Sequence, residues 1–203
     1  MATLINTSKL DAVNSILIGI GEAPVNTLGS GLQEAEIAEL ILNNINREVQ
    51  SSGWVFNTDL RLTLSPNSDG HIDLPSNCIK VDAISVLRDY TTDIVERNRR
   101  LYDRVTNSFI FTTDVVVDMV ILLPFDGLPE VARRYITLRA GRKFQENIIG
   151  SPTLSKLQAD EEGAALLALK EAEAEIGDFN IFDHYDTYKH LDRYISTASS
   201  TLI

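Results

Sequence analysis

The sequence predicts an α+β fold: a discontinuous helical bundle with an inserted antiparallel β domain and a C-terminal arm. Three observations predict it. Apolar residues recur at helical spacing across residues 1–57 and again across 125–177. Between these stretches, over 58–124, the period falls to two and turn signals separate short β-branched runs. The last stretch, 178–203, has no clear period yet is rich in aromatic residues. The simplest organisation joins 1–57 and 125–177 into one helical body, with 58–124 inserted and 178–203 as an arm.

The first helix follows a hydroxyl at Thr7 or Ser8, which can accept the free N–H groups of a first turn. Leu10, Val13, Ile16, Leu17 and Ile20 then mark one face. Gly19 or Gly21 supplies the stop, and Pro24 prevents resumption. A second helix is predicted from about Gln33 to Ser52, with Ile37, Leu40, Ile41, Ile45 and Val49 as its apolar stripe. Glu34, Glu36 and Glu39 stand near its start, where negative charge suits the helix dipole, and Gly53 ends it.

Strand periodicity begins with Leu60, Leu62 and Leu64. The cluster Pro66 to Gly70 reads as a turn, with Ile72 and Leu74 continuing beyond it. Ile79 to Leu87 is β-branched and mostly apolar, and Asp89 to Asp93 is a further turn. Short strands are predicted at Ile94–Glu96, Arg100–Tyr102 and Phe109–Phe111, and a stronger one at Val115–Leu123. About five to seven strands fill the segment.

Helical spacing returns after Pro129, which suits a first turn. Val131, Tyr135, Ile136, Leu138, Ala140 and Phe144 follow, closing at Gly150. Ser151-Pro152 pairs a capping hydroxyl with a proline at the first helical position. An Ala-, Leu- and Glu-rich helix then runs to about Ile176, with Gly177 as its end. In the arm, Phe179, Ile181, Phe182, Tyr185, Tyr188 and Tyr194 lie among polar residues. Such a segment either orders against a partner or folds back on its own body. Phe179, Phe182, Tyr185 and Tyr188 are the candidate partner contacts.

Composition narrows the function. With 203 residues, 44% hydrophobic and 23% charged, the chain can bury roughly 70% of its unfolded surface. The net charge of −11 argues against tight nucleic-acid binding, which needs Lys and Arg against phosphate, and against anionic membranes. The longest apolar run, Met119 to Leu123, is far short of the ~20 residues that span a bilayer, and Met1 to Leu10 is no signal peptide. A cytosolic product, or a particle assembled in a cytosol, is expected.

No catalytic constellation emerges. Gly19-Ile20-Gly21 resembles the start of a dinucleotide fingerprint, but Pro24 takes the third glycine's place and the segment follows a helix. His71, His184 and His190 form no zinc-ligand pair at helical spacing, so neither a metal nor a cofactor is expected. Cys78, the lone cysteine, opens an apolar strand as a small buried residue. Asp160, Glu161, Glu162, Glu171, Glu173 and Glu175 are expected on the solvated face of a long helix. Basic residues group at Arg97, Arg99, Arg100 and Arg104, and at Arg133, Arg134, Arg139, Arg142 and Lys143. Pairing with acids of the same or a neighbouring subunit is expected for both groups. Arg133, Arg134 and Arg142 are the candidate inter-subunit charge contacts.

Four segments carry a family resemblance: LDAVNSILIGIGEAPVNTL from Leu10 to Leu28, INREVQSSGWVFN from Ile45 to Asn57, RLYDR from Arg100 to Arg104, and LPFDGLPEVARRYITLRAGRKFQENIIGSP from Leu123 to Pro152. In order and spacing they resemble the tail tubular protein A family of short-tailed phages, the adaptors between portal and tail nozzle. The resemblance extends to about Asp183. It implies a twelve-subunit ring below the portal in the virion tail, a wall around the DNA channel, contacts with nozzle and tail fibres, and no enzymatic role. It also implies a helical bundle with a β domain, which is the organisation read from periodicity. Two other readings stand beside it. One is a polysaccharide hydrolase using paired carboxylates. The other is a head-tail connector of a long-tailed phage.

Overall fold

The computed structural model describes residues 6–83 and 93–177. Within them the protein is mixed helix and antiparallel sheet, in the order α1 (Lys9–Ile18), α2 (Gln33–Gln50), β1 (Thr58–Leu64), β2 (Cys78–Ala83), β3 (Ile94–Arg97), β4 (Arg100–Asp103), β5 (Val115–Ile121), α3 (Glu130–Ile148) and α4 (Pro152–Gly177). The predicted arm and the residues 84–92, which take in the end of one predicted strand and most of the Asp89–Asp93 turn, lie outside the described residues.

Helix α1 starts as its sequence predicts, and Ser8 is the cap. Its hydroxyl accepts from the Asp11 N–H at 3.2 Å while the Asp11 carboxylate accepts from the Ser8 N–H at 3.0 Å. This reciprocal box satisfies two of the first turn's free donors. The Ser8 hydroxyl, 2.6 Å from Asp11 Oδ2, and then the Ser8 N–H hold the Asp11 carboxyl below its usual range. The helix ends at Gly19, one residue short of Ile20.

Helix α2 buries Ile45 and Val49 and half-buries Ile37 and Ile41 of the predicted stripe, and adds Ala35, Ala38 and Leu42 to it. Ala35, Ala38, Leu42, Ile45 and Val49 face the core, and Leu40 is 58% exposed. The predicted stripe favoured large residues, whereas close packing admits alanines where helices approach. Helix α3 packs against α1, α2 and α4, and its Tyr135, Ile136, Ala140 and Phe144 are buried with Ala165 and Leu169 of α4 in one apolar core.

A second core lies on the sheet side, around Ile72, Leu101, Val117 and Met119. The sheet order is β1-β5-β2, all antiparallel, and β3 pairs with β4 as a separate hairpin. The central β5 is the strand that the sequence marks most strongly. In β1 an extra residue between Asp59 and Leu62 shifts the register. A one-residue slip changes the side-chain face, so Leu62 and Leu64 pack on the core while Leu60 is 69% exposed. Arg61 takes a left-handed φ of 56° there, and its N–H donates to Asp118 Oδ1 at 2.9 Å.

Two predicted strands are not strands. Ile72 and Leu74 are buried, but their segment makes only a bridge, Asp73 to Arg100. Phe109–Phe111 is likewise an extended loop, tied by the Phe111 N–H to the Gly70 carbonyl at 2.8 Å. Both wrap the β3–β4 hairpin, and their alternation reflects burial against it without a continuous ladder.

Polar side chains stitch the helical side to the sheet. Gln50, 0% exposed, donates through Nε2 to the Leu123 carbonyl at 2.9 Å and accepts from the Leu123 N–H at 2.8 Å. Asn57 Nδ2 donates to the carbonyls of Gln50 at 3.0 Å and Ile121 at 2.9 Å. The chain thus leaves and re-enters the helical side through one hydrogen-bonded neck. Gly53, at φ 75°, turns the chain there, and a Cβ on it would stand 3.2 Å from the Val120 side chain.

Candidate assembly surfaces

The basic residues of α3 divide by their position on the helix. Arg133 is 6% exposed, and its guanidinium donates to the carbonyls of Leu128 at 2.8 Å, Thr7 at 2.7 Å and Asp126. It serves the interior of its own subunit, clamping the segment before α1 onto the turn that leads into α3. Its planar fork of donors suits three carbonyls at once, a use that helical spacing alone does not reveal. Arg134, the next residue, is exposed.

Arg142 links α3 to α4. It reaches Glu162 at 2.5 Å and Glu146 at 2.9 Å, and its side chain is 30% exposed. The hydrogen bond to Glu162 holds the Arg142 pKa above its usual value, against the pull of burial. Glu146 is held low, first by the Ser155 hydroxyl, against burial, and then by Arg142 and Lys143. Arg139 bonds the Tyr135 hydroxyl at 2.8 Å and pairs with Glu48 of α2. Of the three predicted inter-subunit arginines, then, Arg133 and Arg142 are engaged within the chain and Arg134 faces outward.

The second basic group sits on the β3–β4 hairpin. Its turn, Asn98-Arg99, has φ values of 54° and 61°, the pattern of a tight two-residue hairpin turn. Arg99 donates to the Cys78 carbonyl at 2.8 Å, tying the hairpin to β2. Arg100 pairs with Asp73 at 2.8 Å, Arg104 with Asp93 at 3.3 Å, and Arg97 lies 3.8 Å over the Tyr102 ring. Tyr102 in turn meets Phe109 edge to face, with centroids 4.8 Å apart. An open cleft of about 610 Å³ beside the hairpin is lined by His71, Asp73, Asn98, Arg99 and Phe109 among others. Arg100 and Arg104 are each paired with an acid and Arg97 lies on a ring, so the four arginines do not sum to a phosphate-binding patch.

Cys78 and the acids of α4 divide by burial. Cys78 is buried, and burial raises its thiol pKa, aided by Glu96 and opposed by Arg99. A thiol held protonated is a poor nucleophile. On α4, Asp160, Glu161, Glu171 and Glu175 are exposed as expected. Glu162 and Glu173 depart from that expectation, because they face inward. Glu173 is 8% exposed and accepts from the Val55 N–H at 2.5 Å, fastening the end of α4 to the neck. No group of three His, Cys, Asp or Glu side chains able to hold a metal occurs among the described residues. No helix among them is long and apolar enough to cross a membrane. Leu157 and Leu167 of α4 are about three-fifths exposed.

A family model described as tail tubular protein matches residues 10–179. Tail tubular protein A of Klebsiella phage KP34 is 30% identical over 128 residues, which cover 63% of this chain and 66% of the relative, just under two thirds of its length. The matched range takes in the four described helices, apart from Lys9, and both apolar cores with the β3–β4 hairpin. The chain belongs to the tail tubular protein family and is a structural component of a phage tail.

Proposed function

We propose that this chain is the ring adaptor of its tail, joining the portal to the nozzle, with twelve copies surrounding the DNA channel. The observation that carries the reading is the tail tubular family match across nearly the whole described fold. The relative named tail tubular protein A supports it. Physical logic supports it too. A head-to-tail contact closes into a ring when its rotation closes, and many modest contacts acting together hold a ring without any single large interface.

In this reading 1–57 and 125–177 form the helical body, 58–124 is an inserted β domain, and 178–203 is an arm. Phe179, Phe182, Tyr185 and Tyr188 are its partner contacts, with portal, nozzle or tail fibres as partners. Arg134 is the outward charge on α3 available to a neighbour. The net charge of −11 suits a channel wall that lets DNA slide past without specific contact. The role is structural, and no residue is assigned a catalytic part.

Electron microscopy of the purified chain, alone and mixed with portal, tests this. Closed rings, alone or on the portal, are expected. A monomer that ignores portal would overturn the reading.

A further inference from the structure

The face of α2 that ends in Gln50 carries a polar row. Asn43, Asn46, Arg47 and Gln50 stand at the spacing that brings helical residues to one side. Gln50 serves the neck, and the other three line a cleft of about 280 Å³. Leu122, Leu123 and Pro124, where the chain returns from the sheet, line it as well, together with Lys9 and Asp126.

This row leaves donors open. Asn46 is 7% exposed, and its Oδ1 accepts from Gln50 Nε2 at 2.9 Å, but its Nδ2 meets no acceptor among the described residues. That nitrogen is not sealed from solvent, so a side chain more than nine-tenths buried opens its amide donor on the cleft. Arg47 is exposed, bonds the Asn44 side chain on its own helix, and meets no acid among the described residues. The other two charges of the wall are already engaged. Lys9 Nζ pairs with Glu39 at 2.7 Å, and Asp126 Oδ1 accepts from the Lys9 N–H at 2.8 Å. The cleft therefore offers an open amide donor and an unpaired guanidinium beside an apolar wall. A carboxylate answers both, because a bond from a guanidinium to a charged acceptor is stronger than one to a neutral carbonyl.

We propose that this cleft receives Glu171 of a second copy of this chain. The proposal rests on the reading of this chain as a ring subunit. Charge complementarity points to a second copy, since 29 acidic residues stand against 18 basic ones. Asp160, Glu161, Glu171 and Glu175 are exposed on α4 and make no ion pair among the described residues. Glu171 follows Leu167, 58% exposed, by four residues, so an apolar side chain and a carboxylate share one side of the helix. That pair matches the cleft, with Leu167 against Leu122 and Pro124 and the carboxylate on Arg47 and Asn46 Nδ2. Leu157 and Glu161 repeat the spacing, but Glu161 borders Ile16 and Gly19 of its own α1. Helix α4 packs on α3 and on the Val55–Asn57 turn, whereas the cleft belongs to α2. Acid and cleft thus lie on different surfaces of the subunit, and the contact is head-to-tail, the kind that closes a ring.

Charge reversal in mixed populations of the full chain tests this. Arg47→Glu copies carry an acid on both sides of the contact, and Glu171→Arg copies carry a cation on both. Each variant alone should self-associate about tenfold more weakly than the parent chain, read by sedimentation. An equimolar mixture should recover association, because alternating copies restore an unlike pair at every contact. Recovery also shows that both variants fold. Added salt should weaken the parent contact. Unchanged association of either variant, or a mixture no stronger than its components, would overturn the proposal. Loss of portal or double-stranded DNA binding by Arg47→Glu, with association between copies intact, would overturn it too, since the cleft would then serve that partner. Rings on portal that ignore both reversals would keep the adaptor reading and remove the contact. Association through this contact by a chain that never binds portal would keep the contact and remove the adaptor reading. A parent chain that never self-associates, alone or with portal, would overturn both.

Discussion

Gln50 and Leu123 form a two-way hydrogen-bonded pair, side-chain amide to main-chain amide, at 2.9 and 2.8 Å. Gln50 closes α2, just before the chain departs for the sheet, and Leu123 stands where it returns from β5. A glutamine here reproduces the pairing of a neighbouring peptide group, so the two crossings of the neck are held in register. Asn46 adds to it by accepting from Gln50 Nε2 at 2.9 Å.

Replacing Gln50 by Leu keeps the bulk and removes both bonds. The Leu123 N–H and carbonyl are then left without this partner, at about 1–3 kcal/mol for each unsatisfied group. A total loss of roughly 2–6 kcal/mol is expected, read as a lower urea midpoint at an unchanged slope. A change under ~0.5 kcal/mol would show that water replaces the amide freely.

Adjacent residues on α3 should separate stability from assembly. Arg133→Met strips donors from three carbonyls and should cost about 3 kcal/mol or more. Arg134→Ala should stay within about 0.5 kcal/mol of wild type, as exposed substitutions usually do, and should weaken association with neighbouring tail proteins. Equal stability of the two variants in thermal unfolding would contradict the role given to Arg133.

Acid should weaken the hairpin region through Asp103. Burial pulls its pKa up, but hydrogen bonds from the Thr106 hydroxyl and from the Val105, Asp93 and Thr106 surroundings outweigh that and leave it lowered. A carboxyl depressed in the folded state adds stability above its unfolded pKa and loses it as pH falls through the folded value. Unfolding free energy should therefore decline as pH drops below about 4. Asp103→Asn should be less stable at neutral pH and show a shallower decline. An identical pH profile for variant and wild type would count against this contribution.

Stopping the chain after Gly177 retains Glu173 and its bond to the Val55 N–H. That variant should fold with near-normal stability and assemble poorly. Stopping after Lys170 removes Glu173 and should loosen the neck, seen as faster hydrogen exchange at Val55 to Asn57. If the longer variant unfolds as well, the aromatics after Gly177 belong to the core.

The helices were legible because each carries its own punctuation. Ser8 with Asp11 starts α1, Pro152 opens α4, and the spacing of Tyr135, Ile136, Ala140 and Phe144 marks the buried face of α3. The central strand β5 was legible for a similar local reason, a β-branched run with both faces partly covered. Ile72–Leu74 and Phe109–Phe111 misled because burial against a neighbour produces the same alternation as a ladder. Leu40 and Leu60 misled for another reason: which of several apolar residues turns inward depends on the approach of α3, or on one extra residue at a bulge.

On the candidate surfaces the residue types were visible and their roles were not. Arginine spacing on α3 is the same whether a guanidinium meets solvent, as for Arg134, or three buried carbonyls, as for Arg133.

The sequence by itself determined the four described helices and the central strand β5, because capping and periodicity are local. Tertiary structure alone decided the neck of Gln50, Asn57 and Leu123 and the inward turn of Arg133 and Glu173. Each depends on which main-chain groups residues distant in sequence bring within hydrogen-bonding reach, and local pattern carries no information about that.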